Sequence, residues 1–144
     1  MDNSLPPEEF LQGVEQFNQQ EFYACHDTLE TLWMEAVEPQ KRFYQGVLQI
    51  AVACYHLGNL NWRGAVVLLG EGIGRIRDYD SIYEGIDVTG LLTQSVELLK
   101  ALQEAGPEQV ADFVKQMAAG ESNGIGEASS KVVGRLPKIL RVDA

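Results

Sequence analysis

Apolar residues recur at intervals of three and four along most of this 144-residue chain, which is the spacing of amphipathic helices. Pro6 and Pro7 precede two acidic residues, and a first-turn proline followed by acids is a typical helix start. Pro39 marks another start in the same way, and Gly58 with Asn59 marks a stop and a turn. The stripes therefore predict helices over residues 7–18, 21–36, 39–57, 61–77 and 88–105, and a short sixth helix that starts at Pro107.

Glycines are concentrated in the predicted fourth helix, at Gly64, Gly70, Gly72 and Gly74. Since a glycine inside a helix costs roughly 1 kcal/mol relative to alanine, we interpret them as positions where another helix approaches closely. Residues 78–87 form an acidic loop, and no segment shows the sustained alternation that indicates a strand. The predicted class is therefore all-α, a compact bundle of five to six helices built from helix–turn–helix hairpins.

The first four helices contain a weak internal repeat. An offset of 41 residues aligns Asn18 with Asn59, Ala24 with Ala65 and Leu32 with Ile73. In each copy an amphipathic helix ends in an Asn-containing turn, and a second helix follows, as in stacked tetratricopeptide-type hairpins. A plain helical bundle would give much the same pattern, so both architectures stay open.

Charge and composition divide the chain into two parts. The length suits one domain with a real core, which we predict over residues 1–119. We expect residues 120–144 to be a mobile, Gly/Ser-rich link followed by an apolar-basic tail that packs back on the acidic domain. Because Pro137 interrupts the tail, an extended or single-turn segment is expected there. The bases of this tail are Lys131, Arg135, Lys138 and Arg141, whereas residues 1–119 hold 18 acids and 7 bases.

The net charge of −10 argues against nucleic acid as a partner, because phosphates require a basic face. No apolar run approaches the ~18 residues of a membrane span, and the N-terminus lacks the basic start and apolar core of a secretory signal. A cytoplasmic location is therefore predicted. In that compartment Cys25 and Cys54 are interpreted as reduced core thiols, with a disulfide or a thiol nucleophile as the alternative.

A line of polar residues crosses the otherwise apolar third helix. Gln45, Gln49 and His56 fall at about 0°, 40° and 20° around its axis, and such a line requires partners or a function. If the second and third helices pack antiparallel, residues whose numbers sum to about 75 lie level with each other. We call the resulting arrangement the polar ladder. It pairs Trp33 with Arg42, Glu30 with Gln45 and His26 with Gln49, and it leaves His56 level with Asn18 and Gln19.

Two interpretations of the polar ladder are open. In the first it is a buried network that sets the register of the two helices, with Arg42 stacked on Trp33. In the second it is a site, because His26 and Glu30 at i and i+4 can reach one metal ion, and His56 would add a second imidazole. General acid–base chemistry by Glu30 and His26 is a variant of the second. About 10 Å of axial offset between the two histidines weakens the metal interpretation.

The strings that carry these side chains also resemble a known family. They are Phe17-Asn18-x-x-Glu21-Phe22-Tyr23-x-x-His26-x-x-Leu29-Glu30-x-x-Trp33, Gln45-Gly46-x-x-Gln49-x-Ala51, and His56 followed by an Asn-containing turn and Gly64-Ala65. Together they resemble the bacterial and archaeal domain-of-unknown-function family 309, over roughly residues 8–77. The resemblance implies a small all-α protein without an established activity. It also implies that His26, Glu30, Trp33, Gln45, Gln49, His56 and Asn59 are signature positions.

Three functions are compatible with these observations. The first is a non-catalytic binding or interaction module. The second is a metal-dependent or acid–base hydrolase-like enzyme that uses His26, Glu30 and His56. The third is a structural oligomer subunit. No cofactor is predicted, a divalent metal belongs only to the second hypothesis, and the partner would be a protein, a second copy or an unidentified small molecule, with no nucleic acid and no membrane span.

Overall fold

The structure is a computed structural model that describes residues 5–123 and 135–142. It is built from helices packed as sequential hairpins, which confirms the all-α class. The predicted helices are present with ends that differ by at most a residue or two, although the sixth begins as a 3-10 turn at Pro107–Gln109. The helices are α1 (Glu8–Asn18), α2 (Phe22–Glu35), α3 (Gln40–Gly58), α4 (Trp62–Ile76), α5 (Val88–Ala105) and α6 (Val110–Asn123).

The turns after α1 and α3 have the same backbone hydrogen bonds. The N–H of Glu21 donates to the carbonyl of Gln16, and forty residues later the N–H of Asn61 donates to that of His56. Gln20 and Leu60 occupy equivalent positions with positive φ values of 65° and 62°. The two turns are therefore equivalent at an offset of 40 residues and not 41, because the turn geometry and not the shared asparagine sets their alignment. The tetratricopeptide likeness stays a prediction.

Helix α3 lies between α2 and α4 and contributes much of the core. Two glycines let α3 and α4 approach closely, since a Cβ atom on Gly72 would lie 2.8 Å from the carbonyl oxygen of Gly46. Around Phe43, which is fully buried, the rings of Phe10, Tyr79 and Tyr83 lie with centroids 4.7 to 5.9 Å away. These aromatic contacts join α1, α3 and the segment after α4 into one core.

Both cysteines are free and buried, as predicted for core thiols. The Cys25 thiol donates a hydrogen bond to the carbonyl of Gly13 at 3.3 Å. Burial raises the pKa of Cys25 to about 12 and raises the pKa of Cys54 as well. The thiolate is therefore disfavoured at both positions, which argues against a thiol nucleophile.

The acidic loop contains a small antiparallel hairpin that the sequence did not predict. Its strands are β1 (Ile82–Tyr83) and β2 (Ile86–Asp87), joined by Glu84 and Gly85 with φ values of 51° and 76°. Two successive residues with positive φ form the tight turn typical of hairpins. Strands of two residues are too short to show alternation, and Glu-Gly is not a usual turn signal, so the expectation of no strand was wrong here.

Residues 135–142 form no helix, and their end lies against this hairpin, with an antiparallel bridge between Ile86 and Arg141. The expected Gly/Ser-rich link falls mostly on residues 124–134, which lie outside the described residues, as does Lys131. Since α6 continues to Asn123, a domain boundary at residue 119 stays a prediction. No helix in the described part of the chain is long and apolar enough to cross a membrane.

Candidate functional site

Within the polar line of α3, Gln49 makes its side-chain hydrogen bonds to α4. The Gln49 side chain donates to Glu71 Oε1 at 3.0 Å and accepts from Arg75 Nη1 at 3.1 Å. The predicted pair of His26 with Gln49 is therefore wrong. Pairing residues whose numbers sum to about 75 predicts only how far along the helix axis each residue lies. Helix α3 has α2 on one side and α4 on the other, and the Gln49 side chain points to α4.

Lys41, and not Arg42, covers the indole of Trp33. Its Nζ lies 5.0 Å from the ring centroid and donates to the Trp33 carbonyl oxygen at 2.8 Å. Arg42 is exposed, and its backbone N–H donates to Glu38 Oε1 at 3.0 Å. The register is one residue away from the predicted one, and one residue rotates a side chain by about 100°, so the cation–π contact passes to Lys41.

Glu30 pairs along its own helix and not across to α3. Its Oε1 lies 3.8 Å from His26 Nε2, and 46% of its side chain is exposed. The half-buried Gln45 side chain makes no hydrogen bond with any described residue, so the predicted pair of Glu30 with Gln45 is absent there. The observed contacts of Glu30, Gln45 and Gln49 therefore do not support the interpretation of the polar ladder as a buried network between α2 and α3.

His26 has a carboxylate on each side. Its Nδ1 lies 3.3 Å from Asp27 Oδ1, but this contact lacks the geometry of a hydrogen bond, and Nδ1 has no hydrogen-bond partner within residues 5–123 or 135–142. Candidate ligand atoms of His26, Asp27 and Glu30 lie within 4.8 Å of one another. Asp27 was not predicted as part of this group, because neighbouring residues in a helix point about 100° apart, although a flexible carboxylate can reach across that angle.

His56 does not belong to that group, but it lines the same small cavity as His26. The two imidazoles line one small cavity of about 120 Å³ together with Tyr23, Val52 and Tyr55. The ring centroids of Tyr23 and Tyr55 lie 5.6 Å apart beside this cavity, and the predicted axial offset of about 10 Å between the two histidines stays a prediction. The cavity wall is almost entirely apolar, so ring carbons and not ring nitrogens face the space. We call this cavity the tyrosine–histidine pocket.

His56 is held from the α4 side by the turn that follows it. Its Nδ1 lies 3.4 Å from Asn61 Nδ2, while Asn61 Oδ1 accepts the N–H of Gly64 at 2.9 Å and so caps α4. A Cβ atom on Gly64 would lie 3.0 Å from His56 Cδ2, so glycine leaves room for the imidazole. Asn59 is exposed and ends α3, where its backbone N–H bonds to the carbonyls of Tyr55 and His56.

A wider, open cavity of about 830 Å³ adjoins the tyrosine–histidine pocket and shares Tyr23 and Tyr55 with it. It lies where the start of α2 and the end of α3 meet α6 and Leu136, and Asn59 is among its lining residues. Tyr23 and Tyr55 were not among the sequence candidates. The signal that would have found them is their position in the sequence, since Tyr23 comes three residues before His26 and Tyr55 comes directly before His56.

Comparison with known proteins bears on the same stretch. A family model described as a domain of unknown function, DUF309, matches residues 10–68. The uncharacterized protein YpuF of Bacillus subtilis (strain 168) is 32% identical over 69 residues, which are 46% of this chain and 40% of the relative. The chain thus spans about two fifths of the length of that relative, and neither description names a function. The resemblance to family 309 that the motifs indicate is confirmed over residues 10–68, a stretch that includes every side chain of the polar ladder and of the tyrosine–histidine pocket.

Proposed function

We propose that this chain is a non-catalytic binding module that accepts an apolar side chain of a partner protein in the tyrosine–histidine pocket. The observation that carries the proposal is the apolar wall of a cavity of about 120 Å³, in the groove between α2 and α3. Small-molecule sites usually enclose about 300–1,000 Å³, whereas this volume suits a single side chain. The size of this pocket therefore favours a single side chain as its occupant, and the adjoining open cavity of about 830 Å³ offers space for the rest of the partner.

The surroundings of the pocket resemble those of protein interfaces. Tyr23 is 60% exposed and Tyr55 is 39% exposed, although both are large aromatic residues. Tyrosine is enriched among residues that contribute most to binding, particularly beside a pocket that receives a partner's anchor residue. The two rings are already packed against each other at 5.6 Å, so little side-chain freedom is lost when a partner binds.

Substitutions inside the pocket should abolish binding to peptides selected against the intact chain. We would pan a display library of random peptides on the full chain and measure the affinity of the enriched sequences by fluorescence anisotropy. We expect them to share one apolar anchor residue and to lose about 30-fold in affinity for Tyr55→Ala, the loss typical of a central interface residue. Val52→Trp, which fills the pocket, should do the same.

Val96→Trp is the matched control, because Val96 is a 40% exposed valine on α5, away from the pocket. It should leave the affinity unchanged. Equal binding to the Val52→Trp and Val96→Trp chains would contradict the proposal, as would a selection that enriches no common anchor.

A metal-dependent or acid–base enzyme is the second candidate, and the group His26, Asp27 and Glu30 is the observation that favours it. An imidazole and two carboxylates can hold zinc, iron or manganese with a position left for water. Against it, all three side chains come from one helix, and the side chains of Asp27 and Glu30 are 64% and 46% exposed. Exposed carboxylates are well hydrated, so closing them around an ion gains less than in a buried site.

The non-catalytic proposal predicts a chain without a resident metal. Elemental analysis of protein purified without a histidine tag should find well below one equivalent of zinc, iron or manganese per chain. One equivalent that is lost in His26→Ala and kept in His56→Ala would favour the second candidate. Loss in both variants would indicate the ligand set of His26, Glu30 and His56 that the sequence suggested.

A further inference from the structure

The segment of residues 135–142, which we call the strap, lies in a groove whose walls come from three distant parts of the chain. These walls are Asn18 at the end of α1, Gln94 on α5 and the outer edge of β2. The strap was expected to meet the acidic body through its charges. The contacts of the strap are instead mostly hydrogen bonds that its backbone makes with the groove. The groove can therefore bind a segment through its backbone.

Two side-chain amides each pair with both backbone groups of one strap residue. The Asn18 amide donates to the carbonyl of Ile139 at 2.8 Å and accepts the Ile139 N–H at 2.7 Å. The Gln94 amide donates to the carbonyl of Lys138 at 3.0 Å and accepts the Lys138 N–H at 2.9 Å. A neighbouring strand would make the same kind of paired bonds, so the two amides recognise an extended backbone and not a particular side chain.

The hairpin continues the recognition along the strap. The Asp87 N–H donates to the carbonyl of Leu140 at 2.9 Å, and the Val142 N–H donates to the carbonyl of Gly85 at 2.8 Å. Ile139 is the apolar anchor, with only 2% of its surface exposed. Lys138 adds a further bond from Nζ to the Asn18 carbonyl oxygen at 2.9 Å. The groove therefore has the components of a peptide site: backbone clamps, an open strand edge and a buried anchor.

All of these contacts come from one short, continuous segment, so a separate molecule can supply every one of them. We propose that the groove is an exchangeable docking site and that its second occupant is the strap of another copy of this chain. Reciprocal exchange of an identical segment preserves each native contact, which makes it a low-cost route to a dimer. The strap of the same chain has the advantage of a high effective concentration, so exchange between copies should appear when docking within the chain is blocked.

Complementation between two full-length variants tests this proposal. Ile139→Asp removes the anchor of the strap and leaves the groove intact, whereas the double change Asn18→Ala and Gln94→Ala weakens the groove and leaves the strap intact. Neither chain can dock its own strap well, but the first offers a groove to the strap of the second. We expect each variant to sediment as a monomer at tens of micromolar and the equimolar mixture to form a one-to-one complex.

A chain that carries all three substitutions is the matched control, and it should not form a complex with the Asn18→Ala, Gln94→Ala chain. Circular dichroism must show that each variant is folded, and Ile139→Ala replaces Ile139→Asp if the charged residue prevents folding. A mixture of folded variants that stays monomeric would overturn the proposal. So would a synthetic peptide of residues 135–142 that binds the Ile139→Asp chain while the two chains do not associate, because the groove would then accept the segment but not from a second copy.

Discussion

Replacing Gly72 by alanine should lower the free energy of unfolding by about 2 kcal/mol, whereas the same replacement at Gly70 or Gly74 should raise it by about 0.5–1 kcal/mol. The three glycines lie two residues apart in α4, so helix propensity affects them alike. Their surroundings differ. A Cβ atom on Gly72 would lie 2.7 Å from Ile50 Cγ1 and 2.8 Å from the Gly46 carbonyl oxygen, while Gly70 and Gly74 have nothing within 4 Å.

The contact with the Gly46 carbonyl oxygen is the reason why alanine at Gly72 should lower the free energy of unfolding, because a backbone oxygen cannot rotate away as a side chain does. The added methyl group must push α3 from α4, and that separation loosens packing along the whole interface. Urea unfolding of the three alanine variants, followed by circular dichroism, measures the difference. Similar stabilities for all three would mean that α3 and α4 are not in close contact at this level.

The free energy of unfolding should fall steeply between pH 9 and pH 11, and the two buried thiols should account for the first part of the fall. Burial raises the pKa of Cys25 from an ordinary 9.0 to about 12, and the pKa of Cys54 moves in the same direction for the same reason. A pKa raised by folding means that the folded state keeps a proton that the unfolded state releases. The stabilisation is therefore complete below pH 9 and is lost as the pH rises toward the folded pKa.

Each such thiol should remove about 1.4 kcal/mol of stability per pH unit in this window. Above pH 10 Tyr44 should add to the decline, because burial and then its 2.6 Å hydrogen bond to Glu84 raise its pKa. Urea unfolding under a reducing agent at pH 8, 9, 10 and 11 gives the slope. The double variant Cys25→Ala, Cys54→Ala should flatten it between pH 9 and pH 10, whatever its stability at pH 8. An unchanged slope in that variant would contradict the assignment to the thiols.

Helix positions were predictable from the sequence because their causes are local. A stripe of apolar residues, a first-turn proline and a glycine stop act within a few residues, and they place α1 to α5 within one or two residues of the observed ends. The close approach of a glycine in α4 was also predicted. Which of the glycines makes the contact was not, since only the neighbouring helix distinguishes Gly72 from Gly70 and Gly74.

The candidate site was predictable as a set of residues but not as a set of contacts. The motifs marked His26, Glu30, Trp33 and His56, and all four lie on or beside the groove between α2 and α3. The contacts of these side chains depend on the register between α2 and α3, and at Trp33 the predicted register differed by one residue from the observed one. The direction of the Gln49 side chain depends on α4, whereas the predicted pairing considered only the second and third helices. An error of one residue in the register of a helix redirects a side chain by about 100°. A prediction can therefore place a residue on the correct helix and still give it the wrong contact.

The sequence by itself determined the helical class, the order and ends of the helices, the buried thiols and the family resemblance, because each of these follows from local periodicity or from residue identity. Only the tertiary structure decided that His26 and His56 share one apolar pocket and that Asp27 stands beside Glu30. It also decided that Asn18 and Gln94 hold the strap, residues that lie more than forty positions from the segment they bind. Such contacts depend on the relative placement of whole helices, and no spacing along the chain encodes that placement directly.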